Sequence, residues 1–429
     1  MKSICLYFHA HRPLMHRRYR FFDIGNNCCY YDDHSNETIT RRLAEKSYLP
    51  VNELLLKLAN KLKRKFKVSF SITGLAFEQF ERYSPNVIES FKKLAKTGCV
   101  EFLSEPYFHT LSSLENPDIF EKQVKLHEER IFGLFGQKPS IFRNTEMIYS
   151  DQIGALVAEM GYKGILTEGA KHIECENPNF VYLNAINPSL KILMRNYELS
   201  DDISFSFSDK DRSEYPLTAE KVIGRLEKMG KTEEVVNIFL NYESLGEYQP
   251  KESGIFDFLE NLAALIVKNP ILKFAAPSEI IEELQPVSVI NVPHPVSCAD
   301  EDLVAWLGND MQKEAFEKLY SLAKKMEKCN NHELQKDWNY LQESSHFYYM
   351  STKNYSHNSQ QNTFTPYEAF INYMNVLSDF KIRLNSFMPE SETDSLYKLI
   401  YEKGRKIKKL ETELLRSQKI KNAIPNLHQ

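Results

Sequence analysis

Eight short apolar runs, separated by longer stretches with helical spacing, constrain this chain more than any other feature. They are Ile4–Phe8, Val68–Thr73, Val100–Ser104, Ile141–Asn144, Gly164–Thr167, Leu190–Met194, Val235–Leu240 and Ile271–Ala275. Several are apolar almost throughout, as a strand covered on both faces by helices must be. Between them lie helical stretches such as Leu43–Lys65, Asn116–Phe135, Asp151–Met160 and Thr218–Met229. Ser84-Pro85, Asn116-Pro117 and Ser150-Asp151 read as helix starts, each with a side-chain oxygen placed to accept from an orphan amide. Strand–helix units repeated this often favour a parallel α/β barrel of seven or eight strands over a short open sheet.

After Pro286 the texture changes. A Pro-punctuated extended stretch leads into helical sequence from Leu303 to Asn339, and Tyr367–Leu384 is a further helix. Ser344–Thr365, rich in Ser, Asn, Gln, Tyr and His, reads as a loop that packs through its aromatics. Three regions are therefore expected: a barrel over 1–285, a helical domain packed on it over 286–390, and a basic helix or tail over 391–429. In that tail Ile400, Ile407 and Leu414 recur every seven residues, which fits a short coiled-coil helix or, since three heptads barely reach the usual threshold, an amphipathic helix with a solvated face.

Of the 429 residues 42% are hydrophobic, which suffices for a large core and excludes wholesale disorder. The formal charge of −4 is too near neutral for a nucleic-acid binder working through bulk electrostatics. Phe256–Val267 is interrupted by Asp257, Glu260 and Asn261 and is too short to span a bilayer. The N-terminus lacks a signal-peptide pattern and reads as a first strand. The seven cysteines are scattered without a CxxC pair. These features point to a reduced, cytoplasmic protein with no nucleic-acid and no membrane partner.

In a parallel barrel, chemistry collects where strands reach their C-terminal edge. Here the apolar runs stop at His9-Ala-His11-Arg12-Pro13, at Glu105 followed by Pro106-Tyr107-Phe108-His109, at Arg143-Asn144-Thr145-Glu146, and at Asn241-Tyr242-Glu243. Glu146 and Glu243 end two different core strands and should face one mouth. Paired carboxylates in a cleft suit glycoside hydrolysis, one attacking the anomeric carbon and one protonating the leaving oxygen. Tyr107, Phe108, Tyr149, Tyr242 and Tyr248 are candidates to stack on sugar rings. A rival chemistry is a metal-dependent amidohydrolase or deacetylase: His9 and His11 alternate onto one strand face, with His109 and His172 as further ligand candidates. That set lacks an Asp from a late strand. No P-loop, GxGxxG or GxSxG is present.

At these strand ends the sequence resembles glycoside hydrolase family 57, particularly its α-amylase-like branch. Five ordered segments carry the resemblance, from His9 to about Gln312. His11-Arg12-Pro13 is similar to the family's His-Gln-Pro. GCVEFLSEPYFHTL, Gly98–Leu111, is the second segment, and FRNTEMIYSD, Phe142–Asp151, is the third. FLNYESLGEYQ, Phe239–Gln249, resembles a segment usually written with Asp-Tyr-Glu, and WLGNDMQKEAF starts the helical region at Trp306. The resemblance implies an incomplete (β/α)7 barrel with a C-terminal helical domain, acting on α-glucans with retention and without a metal or organic cofactor. It implies Glu146 as nucleophile and a sugar-binding site that includes His11, Arg12, Glu105, His109, Tyr242 and Trp306.

Two departures matter. The family's proton-donor Asp falls on Asn241, and an amide cannot give a proton to a glycosidic oxygen and take it back. General acid–base help is worth about 10²–10⁴-fold, so its loss cripples turnover on poor leaving groups. Glu243, two residues on, either substitutes or keeps a supporting role. Arg12 in place of Gln adds a cation, expected to pair with Glu146 or Glu243 or to favour an anionic ligand. Two functions follow: a retaining α-amylase-like glycosidase of impaired competence, or a catalytically silent carbohydrate-binding relative.

Overall fold

The chain enters as strand β1 (Lys2–Ala10), and all nine of its positions are buried. The computed structural model describes residues 1–169, 177–212, 215–299, 302–353, 364–389 and 392–423. The further strands are β2 (Val68–Ile72), β3 (Val100–Phe102), β4 (Ile141–Arg143), β5 (Gly164–Thr167), β6 (Val181–Asn184), β7 (Lys191–Met194), β8 (Val235–Asn241), β9 (Leu272–Phe274) and β10 (Ser288–Ile290). Each of the eight apolar runs in the sequence forms a strand. β6 and β10 were not expected: β10 has two of its three residues exposed, whereas β6 is mostly buried but runs antiparallel to β7, outside the strand–helix repeat.

β1 pairs in parallel with β2 on one side and β8 on the other. β2 pairs with β3, β4 with β5 and β5 with β7, all in parallel. Isolated parallel bridges, Ser104 to Phe142 and Arg195 to Asn237, join β3 to β4 and β7 to β8. The strands β1-β2-β3-β4-β5-β7-β8 thus form a parallel ring with two thinly bonded seams, an incomplete (β/α)7 barrel. β9 pairs with the first residues of β1, and β6 runs antiparallel to β7 with β10 on its other edge. Because the ring strands are parallel, their C-terminal residues Ala10, Arg143 and Asn241 emerge at one end.

The helices follow the expected caps in part. Asn116 and Ser150 accept from the amides of Ile119 and Ile153, whereas Ser84 makes no such side-chain bond. The stretch read as one helix over 43–65 starts earlier and is split: Asp33–Leu43, a π-helical segment Ala44–Tyr48, then Leu49–Leu62. Pro50 explains the widened segment, since it has no N–H for the Lys46 carbonyl four residues back. Gly246, at φ +101°, lies against that carbonyl, where a Cβ would come within 2.0 Å of Lys46 O. This contact fixes the loop that leaves β8.

The described chain divides into two compact units, Met1–Leu14 with Asp33–Ala305, and Met15–Asp32 with the residues from Trp306 on. The barrel unit therefore continues past 285, because β10 pairs with β6. The second unit is helical: Asp310–Tyr320, Ala323–Glu327, His332–Leu341, Ser345–Tyr348, Pro366–Phe387 and Glu392–Ala423 are its principal segments. Met15–Asp32 belongs with it through polar anchors to the helix Pro366–Phe387. The Tyr19 and Gly25 amides donate to Asn372 Oδ1 and Asp379 Oδ1, each at 2.6 Å. The one-turn helix Ser345–Tyr348 falls in the stretch expected as loop, and its neighbours 354–363 lie outside the described residues. No described helix is long and apolar enough to cross a membrane.

The packing of Gly246 yields a first prediction. Gly246→Ala should lower the urea-unfolding free energy by more than about 1 kcal/mol, because the position is strained for an L side chain and occupied by backbone. A change within about 0.5 kcal/mol, the size of an ordinary surface substitution, would contradict the contact.

Candidate active site

β1 delivers His9 beside β8, where it stands in register with Asn241. The His9 ring Nε2 lies 3.2 Å from Glu105 Oε2, and the Ser71 hydroxyl at the end of β2 donates to Glu105 Oε1 at 2.6 Å. Burial depresses His9 to about 3, so its ring is neutral and its Nε2–H donates to the carboxylate. Glu105 is wholly buried, yet the nearby imidazoles of His9, His109 and His127 outweigh burial and hold it well below the usual carboxylate range. Its backbone amide donates to His127 Nδ1 at 3.4 Å, and His127 Nε2 in turn contacts the Ile72 carbonyl at 2.7 Å.

His109 is the hinge of the cluster. Its Nε2 donates to Glu146 Oε1 at 3.0 Å, and its Nδ1 faces Glu105 Oε2 at 3.7 Å. Burial opposes the charge on this ring, but bracketing by two carboxylates wins and raises it to about 9. Glu146 shifts the other way. Burial pushes its carboxyl up, while the His109 hydrogen bond and the charges of His109 and Arg143 pull it down to about 2. Arg143 NH1 stands 4.0 Å from Glu105 Oε2. Two carboxylates, one imidazolium and one guanidinium thus sum to zero inside the barrel, which is how buried charge is made tolerable.

The backbone at Glu146 is as constrained as its side chain. It occupies the left-handed region at φ 50°, followed by Met147 at φ 51°, within the turn Thr145–Met147. Asn144 braces that turn: its Oδ1 accepts from the Thr145 amide, and its Nδ2 donates to the Ile148 carbonyl at 2.9 Å. The Cys298 amide donates to the Glu146 carbonyl at 3.0 Å, and the Cys298 thiol lies 3.5 Å from Glu146 Oε2. His109 has φ 54° as well. Strained non-glycine positions cost about 1–3 kcal/mol each and concentrate at functional sites.

Glu146 opens on a cavity of about 200 Å³ whose walls include Arg143, Arg195, Asp201, Phe239, Asn241 and Cys298. That is more than ten times the roughly 10–15 Å³ one ordered water needs, room for a sugar-sized group. Arg143 and Arg195 both sit over the Phe239 ring, at 5.3 and 5.7 Å from its centroid. Arg195 NH1 reaches Glu168 Oε2 at 3.1 Å, and its NH2 pairs with Asp201. The arrangement offers an ionised, oriented carboxylate facing an amide across a small polar chamber.

The sequence-predicted residues do not all gather there. Glu146 and Asn241 line the chamber, and His109 and Glu105 stand behind Glu146 as its buried support. His11 packs its ring on His109 at 4.0 Å between centroids and has Nδ1 3.2 Å from the Thr73 hydroxyl. Glu243 is turned away: its carboxylate accepts from the Tyr48 hydroxyl, and the charge of Arg12 acts on it rather than on Glu146. Tyr242 does not reach a sugar site, because its ring is fully buried among Phe8, Tyr48 and Phe70 and its hydroxyl donates to Asn52. Trp306 is buried inside the helical unit against Tyr348. Of the other aromatics, Tyr107, Phe108 and Tyr149 are buried and Tyr248 is half exposed.

The metal reading meets a specific obstacle. His9, Glu105 and His109 bring ligand atoms within 4.8 Å of one another. Glu105 is already shared by His9, Ser71 and the Arg143 guanidinium, so a cation placed there would face Arg143. His11 stands apart on Thr73, and His172 lies outside the described residues. Ser71, His127, Glu168, Arg195, Asp201 and Cys298 were missed. Glu168 and Arg195 follow β5 and β7 directly and carried the strand-end signal; Cys298 and Asp201 carried none.

A parallel ring with a charged carboxylate at its C-terminal edge is the layout of a barrel enzyme's active site. The chain belongs to glycosyl hydrolase family 57, whose profile matches residues 5–293. A protein of Methanocaldococcus jannaschii named "Putative alpha-amylase" is 38% identical over 408 residues, spanning 90% of this chain and 86% of that one. Among solved structures, the branching enzyme of Thermococcus kodakaraensis superposes with TM-score 0.67 at 12% identity, covering 94% of each chain. The alpha-amylase AmyC of Thermotoga maritima gives 0.63 at 13% identity, covering 94% of this chain and 97% of that one. At these identities the two structures show a shared fold.

The His109–Glu146 pair predicts a pH signature. The raised affinity of His109 stabilises the fold fully below the ordinary histidine value of 6.5 and is lost as pH rises through about 9. His109→Gln, which strands two carboxylates, should cost about 3–5 kcal/mol near pH 7. Thermal melts of wild type and variant should converge between pH 8 and about pH 10; a gap that stays constant over that range would contradict the pairing.

Proposed function

We propose that this protein is an α-amylase-like retaining glycosidase acting on α-glucans such as starch, glycogen or maltooligosaccharides, with Glu146 as nucleophile. The observation that carries this is the ionised Glu146 carboxylate, fixed by His109 through one oxygen and presented at the chamber that Asn241 also lines. Attack by the other oxygen on the anomeric carbon forms a glycosyl-enzyme, and water then releases it with net retention. His109 and His11 orient the nucleophile, and Glu105 fixes His109. The relatives named for alpha-amylase and branching activities support the substrate class. The second reading, a catalytically silent carbohydrate binder, is favoured by Asn241, because the position opposite the nucleophile holds no acid.

An aryl α-maltoside with a dinitrophenolate leaving group separates the two. Under the first reading the aryl group is released, intact-protein mass shows one maltosyl adduct on Glu146, and Glu146→Gln removes both, lowering release by about 10³-fold or more. Maltooligosaccharide binding with neither release nor adduct would establish the silent binder instead.

A further inference from the structure

We propose that Asp201 is the proton donor and acceptor of this site, in the role that Asn241 cannot fill. The proposal rests on Glu146 being the nucleophile, as argued above.

Asp201 stands on the helix Tyr197–Ser204, which follows β7 directly. Asn196 caps that helix by accepting from the Leu199 amide, and the Phe239 amide of β8 donates to the Ser200 hydroxyl at 3.1 Å. The helix is thereby tied to the strand that ends in Asn241, and the Asp201 side chain lines the same chamber as Glu146 and Asn241. It is 46% exposed, so a leaving oxygen can reach it, unlike Glu105, which is wholly buried. Glu243, the other candidate, is held by Tyr48 and does not line the chamber.

The electrostatics fit a group that must both hold and release a proton. A single guanidinium, Arg195, is shared by Glu168 and Asp201. With both carboxylates ionised, the trio would carry one negative charge more than Arg195 offsets, and Asp201 is the more exposed of the two carboxylates and the one that lines the chamber. Burial raises Glu168 to about 7 and raises Asp201 as well, against the pull of Arg195 and the more distant Arg212. When Asp201 gives up its proton, Arg195 stabilises the carboxylate left behind.

The steps balance. Glu146 Oε attacks the anomeric carbon while the glycosidic C–O bond breaks and the Asp201 proton passes to the departing oxygen. Water then attacks the anomeric carbon, the bond to Glu146 breaks, and Asp201 takes the water's proton, restoring the starting state.

The test uses full-length wild type, Asp201→Asn, and Asp201→Asn combined with Asn241→Asp, on aryl α-maltosides spanning good to poor leaving groups. For Asp201→Asn, kcat/KM on a phenyl maltoside should fall by about 10²-fold or more. On the dinitrophenyl maltoside the first step should stay within about fivefold of wild type, which also reports an intact fold. The Glu146 adduct should then accumulate, azide should speed turnover and yield α-maltosyl azide, and adding Asn241→Asp should restore the phenyl substrate. Equal losses on every leaving group, or no accumulated adduct, would overturn the role of Asp201 while leaving Glu146 in place. No aryl release by the wild type on any leaving group, or release that Glu146→Gln leaves unchanged, would overturn both.

Discussion

A protonated His109 lodged between Glu105 and Glu146 organises the rest of the site. Burial of a carboxyl at a barrel mouth penalises its charged form, and at Glu146 that penalty is opposed by His109 and Arg143. Here Nε2 of His109 donates to Glu146 at 3.0 Å and the same ring faces Glu105 at 3.7 Å. The ring helps to hold both carboxylates ionised, and both carboxylates raise the ring. His9 of β1, Ser71 of β2 and Arg143 of β4 then fix Glu105, so the position of Glu146 depends on residues from several strands.

Backbone geometry serves the same end. Glu146, Met147 and His109 sit at positive φ, and the turn that holds Glu146 is braced by Asn144 and by the Cys298 amide. A relaxed turn would swing the carboxylate away from His109, so the strain is part of the aim and is stabilised by the surrounding hydrogen bonds. Cys298 contributes as a protonated thiol: burial and the nearby Glu146 and Glu168 push its pKa well above the ordinary range, which makes it a weak donor and an unreactive nucleophile.

Much of the fold was legible because parallel strands buried on both faces must be written in apolar residues. All eight runs became strands, and of the polar residues that end them Arg143, Glu146 and Asn241 line one chamber while Tyr242 and Glu243 turn away from it. β10 was invisible since two of its three residues are exposed, β6 since it pairs antiparallel outside the strand–helix repeat, and Met15–Asp32 joins the helical unit through Asn372 and Asp379, contacts no local pattern announces. At the site, strand-end logic found His9, Glu105, His109, Glu146 and Asn241. It misplaced Tyr242 and Glu243 because the chain leaves β8 in a short 3₁₀ turn, Tyr242–Ser244, rather than continuing extended. That turn sends Tyr242 into the core and Glu243 toward Tyr48. Asp201 lies mid-helix, where an acidic residue is unremarked until the structure shows what it faces.

The central claim is that Glu146 is an ionised carboxylate because His109 holds it so. Carbon-13 spectra of protein labelled at glutamate side-chain carboxyls, with the Glu146 signal assigned by its loss in Glu146→Gln, test this directly. The account predicts that this signal does not titrate between pH 8 and pH 4, since its pKa is held near about 2. In His109→Gln the signal should move upward into that window, because burial then meets only the weaker pull of Arg143 and His9. A Glu146 carboxyl that titrates in the ordinary range, unchanged by removal of His109, would contradict the account.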